Sequence, residues 1–263
     1  MHVVPTMFMR MLRLPDEVKA KYDLSSLVHV IHGAAPCPPE AKKRMIEWWG
    51  DVIYEYYGST EAGVVTVVNS VDWMTKPGTV GRPLDGTTVK IYDDDANLLP
   101  VGASGEIYMN LNDLSDFTYH NKEDKRAEIE RDGMVTNGDV GYIDEDGYVF
   151  LNDRKRDMII SGGVNISPAE IEAALQDMPG VQDCAVFGIP HEDFGESVAA
   201  AVETLPGVSL TGDAVRDYLK AHISSYKVPR EVTFHDAMPR EDTGKIFKRK
   251  LRQPYWDKAG RQI

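Results

Sequence analysis

Residues 27–61 read LVHVIHGAAPCPPEAKKRMIEWWGDVIYEYYGSTE, and this run decides the fold class. Among its first six residues Leu27, Val28, Val30 and Ile31 are apolar and three of these are β-branched, which predicts a buried strand over 27–32. That strand ends in the small-residue loop Gly33-Ala34-Ala35-Pro36. Pro38 and Pro39 predict a helix start, and Gly50 is placed to end the helix after Trp49. Residues 52–57 form a second β-rich run that leads into Tyr57-Gly58-Ser59-Thr60-Glu61. Strand, small-residue loop, helix and strand in succession are the grammar of an α/β protein. In such sheets ligands gather at the loops that follow the strand ends.

On the N-terminal side, Met, Leu and Phe recur at helical spacing over 7–18, and the pattern stops near Tyr22-Asp23. Met7, Met9 and Met11 are read as core residues, and Trp48 and Trp49 as helix packing. On the C-terminal side the texture changes near Pro77. Short β-like runs at 87–92, 105–110 and 147–151 alternate with turn residues and predict a small barrel or a distorted sheet. Residues 152–157 are a charge run without apolar periodicity, which marks a boundary. Ser167-Pro168-Ala169-Glu170 reads as a capping box that opens a helix to about Met178. Strands at 184–188 and 197–203, a helix at 213–222, a strand at 231–234 and a basic helix near 245–252 complete a compact α+β region. The division expected is 1–152, a hinge at 153–157, and a small α+β domain over 158–263. No internal repeat or low-complexity segment interrupts it.

Composition narrows the partners. The chain has 263 residues, 42% hydrophobic and 27% charged, with a formal charge of −13. That charge argues against a nucleic-acid partner, since phosphate-backbone binders carry a basic face. No apolar run approaches the roughly 20 residues that span a bilayer. The start, Met1-His2-Val3-Val4-Pro5, lacks a signal-peptide pattern. Cys37 and Cys184 lie far apart without metal-ligand spacing, so a reduced, cytoplasmic protein is expected.

Four motifs carry chemistry-bearing residues. Tyr57-Gly58-Ser59-Thr60-Glu61 puts an aromatic face, a glycine, a hydroxyl and a carboxylate within one turn, although such a sequence also reads as a plain turn with a solvated glutamate. In Gly138-Asp139-Val140-Gly141-Tyr142 the aspartate is by itself an ordinary turn residue. Asp153-Arg154-Lys155-Arg156-Asp157 runs through Met158-Ile159-Ile160 to Ser161-Gly162-Gly163, which without context is a solvated charge run and a flexible loop. Pro239-Arg240-Glu241-Asp242-Thr243-Gly244-Lys245-Ile246 places a lysine in a basic tail, by default a surface residue.

Together and in this order, the four motifs and the Gly33-Ala34-Ala35-Pro36 loop resemble the adenylate-forming superfamily of acyl-CoA synthetases, firefly luciferase and peptide-synthetase adenylation domains. The resemblance runs over residues 3–251. It implies the end of a large α/β domain with a small β-barrel, followed by a small α+β lid domain. Activation of a carboxylic acid needs a surface for adenine, a carboxylate for the ribose, a metal for the phosphates and a cation where charge develops. The resemblance assigns the adenine and acyl pocket to Gly33, Ala34 and Ala35. Tyr57, with Gly58, would flank the adenine, Thr60 would bond phosphate, and Glu61 would hold Mg²⁺. It gives the ribose hydroxyls to Asp139, where the usual Thr-Gly-Asp is here Asn137-Gly138-Asp139. Arg154 would contact ribose or phosphate, and the pivot would lie near Lys155 and Arg156. Gly162 and Gly163 would let coenzyme A pass close to the backbone. Lys245 would bridge the acid and the α-phosphate.

The expected reaction joins a fatty acid or other hydrophobic carboxylic acid to coenzyme A through an acyl-adenylate, with ATP consumed and AMP released. A peptide-synthetase domain or a luciferase-like enzyme shares the motifs. No Ser/Thr/Gly-rich phosphate loop followed by lysine is found in the chain. The chain is therefore expected to be a C-terminal half, from a truncated reading frame or with the N-terminal half on another polypeptide. A fragment that binds nucleotide or a partner without turnover is the other expectation.

Overall fold

The computed structural model describes residues 1–111, 117–155, 157–241 and 244–259. The chain divides into two compact units, Met1–Asn152 and Asp153–Ile263. The fold class is α/β with a small α+β unit after it. No described helix is long and apolar enough to cross a membrane.

The first unit begins with β1 (His2–Val3), α1 (Pro5–Leu12) and α2 (Asp16–Lys19). The continuous helix expected over 7–18 is thus two, because Pro15 between them has no N–H to donate and blocks continuation of the helix. Next come β2 (Val30–His32), α3 (Pro39–Trp49) and β3 (Ile53–Ser59). Strands β1, β2 and β3 pair in parallel, with His2 opposite Ile31 and Ile31 opposite Tyr54. Alternation then sends Val3, Val30, His32, Ile53 and Glu55 to one buried face. Helices α1 and α3 cover that face with Phe8, Leu12, Ala41, Met45 and Ile46. Gly50 ends α3 at φ +82°, a conformation that glycine adopts without strain. The opposite face carries Ile31, which is exposed, and His2 stacked on Tyr56.

From β3 the chain turns into β4 (Gly63–Asn69), α4 (Ser70–Thr75), β5 (Thr79–Pro83), β6 (Thr87–Tyr92) and β7 (Gly105–Leu111). After α5 (Glu123–Glu128) come β8 (Glu130–Arg131), β9 (Met134–Val135), β10 (Asp139–Ile143) and β11 (Val149–Arg154). Over the described residues the ladder runs β1-β2-β3-β4-β5-β11-β10-β7-β9-β8, with β6 on the other side of β7. The strands after Pro77 therefore continue the first sheet through β5, and their inward side chains share one core. Strand β3 also runs further than the β-rich sequence, through Gly58 to Ser59, with a register shift between Tyr57 and Gly58.

The second unit holds β12 (Ile159–Ser161), β13 (Val164–Ile166), α6 (Pro168–Gln176), β14 (Val181–His191), β15 (Gly195–Thr204), α7 (Gly212–His222), β16 (Glu231–His235) and α8 (Lys248–Lys258). Gly162 and Gly163, at φ +57° and +81°, make the two-residue turn between β12 and β13. The flexible loop that the bare sequence allows there is an ordered hairpin of the kind that needs two positive φ angles. Ile171 and Leu175 of α6 and Val215 and Leu219 of α7 pack on Val186, Val198, Ala200 and Val202. Ala185, Phe187, Ala199 and Ala201 face Met238 and Leu251 on the other side. With both faces covered, β14 and β15 read as continuous apolar runs rather than alternating ones.

The capping box expected at Ser167 and Glu170 does not form. Asp153 Oδ2 instead accepts the Ala169 N–H (3.1 Å) and the Ser167 hydroxyl (2.8 Å), while Glu170 pairs with Lys227 at 2.7 Å. A carboxylate at a helix start satisfies an orphan donor and opposes the helix dipole. Asp153→Ala should cost the second unit about 1 kcal/mol, read as a lower urea midpoint. An unchanged midpoint would remove Asp153 from the cap.

Candidate active site

In the first unit the site residues sit where strands end. The loop after β2 starts at Gly33, where a Cβ would lie 2.7 Å from ring carbons of Tyr56 and 2.8 Å from its carbonyl oxygen. Only a hydrogen fits there. Ala34 follows at φ +67°, a left-handed conformation that costs a non-glycine residue about 1–2 kcal/mol. Gly58 is also a packing requirement, since its Cβ would fall 1.9 Å from the Gly63 carbonyl oxygen. The close approach at Gly58 is thus that of β4.

Tyr57 points inward from β3 and is buried among Val65, Val80, Ile107 and Val149. Its hydroxyl donates to Asp139 Oδ2 at 2.9 Å, across 82 positions of sequence. Asp139 is itself buried at the start of β10. The preceding turn holds Gly138 at φ +78°, with its N–H on the Thr136 hydroxyl (3.0 Å), which donates in turn to Glu106 Oε1 (3.0 Å). The Ser59 hydroxyl accepts the Ala62 N–H at 3.1 Å and shapes the turn that carries Thr60 and Glu61. Thr60 is exposed. Glu61 is half-buried, and Tyr119 donates to its Oε1 at 2.9 Å. Mg²⁺ is held by few protein carboxylates and keeps waters and substrate phosphates for the rest of its shell. A single partly exposed carboxylate fits that ion. The described residues contain no cluster of three or more His, Cys, Asp or Glu that would hold a metal without substrate.

The remaining candidates belong to the second unit. Asp153 Oδ1 accepts the Arg154 N–H at 2.7 Å, Arg154 is half-buried, and Lys155 is exposed. Arg156 lies outside the described residues, as do Asp242 and Thr243 of the fourth motif. At Gly162 a Cβ would meet Phe194 Cδ1 at 3.2 Å, whereas at Gly163 it would meet nothing within 4 Å. The turn conformation, more than space, asks for glycine at these two positions. Lys245 is exposed, beside the isolated bridge between Arg240 and Ile246.

Two features escaped the sequence reading. Tyr119 is an isolated tyrosine with no pattern around it. The other is a buried cluster beneath the Gly33–Pro36 loop. Lys42 Nζ lies 2.6 Å from Glu55 Oε2 and 4.8 Å from the centre of the Trp73 ring. His32 Nε2 is 3.8 Å from the same oxygen, and neither His32 ring nitrogen has a hydrogen-bond partner among the described residues. A signal was present, because Lys42 shares a helix face with Met45 and Ile46 and Glu55 shares strand parity with Ile53 and Tyr57. Burial lowers the Lys42 ammonium and raises the Glu55 carboxyl, and each partner offsets part of the other's shift. Burial, then Lys42 and His2, lowers His32 to about 3, and burial pushes the Cys37 thiol up.

The structure thus brings Tyr57 and Asp139 into contact, with Glu61 on the turn that follows β3. A profile described as AMP-binding enzyme matches residues 1–114, and a second, AMP-binding enzyme C-terminal domain, matches 170–245. The chain belongs to the adenylate-forming, AMP-binding superfamily. It is 42% identical over 251 residues to a 3-[(3aS,4S,7aS)-7a-methyl-1,5-dioxo-octahydro-1H-inden-4-yl]propanoyl:CoA ligase of Rhodococcus jostii, covering 95% of this chain and 46% of that one. A long-chain-fatty-acid–CoA ligase of Bacillus subtilis is 34% identical, over 94% of this chain and 44% of that one. Among solved structures, the o-succinylbenzoate CoA synthetase of Bacillus subtilis, in complex with its acyl-adenylate intermediate, superposes with a TM-score of 0.83. It is 27% identical, over 95% of this chain and 50% of that one. The chain thus spans about half the length of the curated relatives it matches.

The depressed His32 has a consequence for stability. Its charged form is disfavoured in the folded state, so the unfolded chain binds the proton first as pH falls below the ordinary value of 6.5. Stability should therefore drop from pH 6.5 toward 3, by up to about 1.4 kcal/mol per pH unit from this group. His32→Gln should show a flatter decline between pH 7 and 5 in urea titrations. Parallel declines would place the histidine charge elsewhere.

Proposed function

We propose that this chain is the nucleotide-binding and lysine-bearing half of an acyl-CoA synthetase, which activates a carboxylic acid as its adenylate and transfers it to coenzyme A. The observation that carries the reading is the Tyr57 hydroxyl on Asp139. One Asp139 oxygen is held by the tyrosine, which fixes the carboxylate for the two ribose hydroxyls. In this reading Gly33, Ala34, Ala35, Tyr57 and Gly58 line the adenine, and Thr60 donates to phosphate. Glu61, steadied by Tyr119, holds Mg²⁺, which neutralises phosphate charge when bound. Residues 1–152 are the end of the large domain and 158–263 the lid. Lys155 and Arg156 lie at the pivot, and Arg154 reaches the ribose or phosphate.

Lys245 supplies the cation for the transition state of adenylation, and a point charge on a flexible stem suits that task. Coenzyme A passes the Gly162-Gly163 turn. The acid is a fatty acid or another hydrophobic carboxylate, by similarity to the two CoA ligases above, so the work belongs to lipid metabolism. The free thiols Cys37 and Cys184 fit a reducing compartment such as the cytoplasm. The remaining half of the fold, with its phosphate loop, completes the enzyme. The half-length coverage also favours a second reading, a fragment that binds the adenylate without turnover.

Both readings predict binding to the first unit. A non-hydrolysable acyl-sulfamoyl adenosine should bind the purified chain in calorimetry, and Asp139→Asn should weaken it about 10- to 100-fold. No binding by folded chain, or equal binding by the variant, would contradict the proposal. AMP formation lost in Lys245→Ala separates the enzyme from the fragment.

A further inference from the structure

Asp183 of β14 and Glu203 of β15 are direct cross-strand partners, so two carboxylates share one sheet face. Like charges in that relation repel, and Glu203 is buried. Gln182 donates its side-chain amide to Glu203 Oε1, and one oxygen of each acid is answered from a single segment. Glu203 Oε2 accepts the Met238 N–H at 2.9 Å. Asp183 Oδ2 accepts Arg240 Nη2 at 2.5 Å, while its Oδ1 takes the Cys184 N–H at 2.9 Å. The other arm of Arg240, Nη1, donates to the Gly244 carbonyl at 3.0 Å.

That carbonyl belongs to the residue before Lys245. Around it the turn is closed by Glu241 N–H to Lys245 carbonyl, Gly244 N–H to Glu241 carbonyl and Phe247 N–H to Pro239 carbonyl, each 2.8 Å. Gly244 supplies the positive φ of +85°. The turn's C-terminal side is tied separately, by Lys248 Nζ on Glu172 Oε1 at 2.8 Å.

We infer that Arg240 is a positioning residue for Lys245, its forked guanidinium joining the Lys245 turn to Asp183 on the rigid β14–β15 ribbon. The fork matters because one planar group meets two acceptors in different directions, which a single ammonium reproduces poorly. Acidic residues at 183 and 203 serve as the seat for this segment, and each offsets its own burial by bonding to it. The role assigned to Lys245 rests on the proposed function; the seating of its turn does not.

Backbone ¹⁵N relaxation on the ligand-free full chain tests this. Gly244 and Lys245 should be as ordered as β14, near 0.85, in the native chain. They should fall below about 0.6 in Arg240→Met and Asp183→Asn, with β14 and β15 unchanged. Arg240→Lys should recover little of the loss, and Lys248→Met should leave both residues ordered. Unchanged order in Arg240→Met and Asp183→Asn would overturn the inference, as would loosening spread evenly over the second unit or full rescue by Arg240→Lys. Because no nucleotide is present, failure here is separable from failure of Asp139-dependent binding.

Discussion

The hydrogen bond from Tyr57 to Asp139 constrains the whole first unit. Along the ladder, β3 and β10 are separated by β4, β5 and β11. Four strand spacings in a flat sheet would put them roughly 19 Å apart. A side-chain contact at 2.9 Å therefore requires the sheet to curl so that the end of β3 approaches the start of β10. Two glycines sit at tight approaches between neighbouring strands of this ladder. At Gly81, φ is +103° and a Cβ would sit 2.3 Å from the Val67 carbonyl oxygen. At Gly141 it would sit 2.1 Å from that of Phe150. These two glycines let the sheet bend, and the bend turns two distant motifs into one wall.

A second regularity concerns buried charge. Glu55, Glu172 and Glu203 are removed from water to differing degrees, and each is met by a donor from another element: Lys42, Lys248 or the Met238 amide. Such pairs add little net stability, because desolvation offsets most of the attraction. What they do provide is register. Lys42 and Glu55 tie α3 to the strand that carries Tyr57, next to the Gly33–Pro36 loop. Lys248, Arg240 and the Met238 amide tie the Lys245 turn to α6, β14 and β15. In both units the costly buried acids lie beside segments whose placement chemistry would need.

Much of this was legible in residue order. The α3 boundaries follow from Pro39 and Gly50, since one fixes φ at the start and the other tolerates positive φ at the end. The runs at 87–92, 184–188 and 197–203 declared themselves through branched and small apolar residues, although the last two strands extend further, to Val181–His191 and Gly195–Thr204. The failures have physical causes. Asp153 replaced Ser167 as the α6 cap because tertiary structure brought a stronger acceptor to the same donor. The hairpin at Gly162-Gly163 is too short for periodicity to show. Tyr119 and the Asp183–Arg240 seat depend on contacts between distant segments, for which residue type alone carries no address. The motif residues Tyr57 and Asp139 could be named, but their contact could not, because it depends on the curl.

The most direct test of the account compares AMP with 2′,3′-dideoxy-AMP on the native chain and on Tyr57→Phe. If Asp139, held by Tyr57, grips the ribose, the native chain should prefer AMP by about tenfold or more, and the preference should shrink in the variant. Equal affinity of the native chain for the two nucleotides would contradict the assignment of that carboxylate, and with it the central claim.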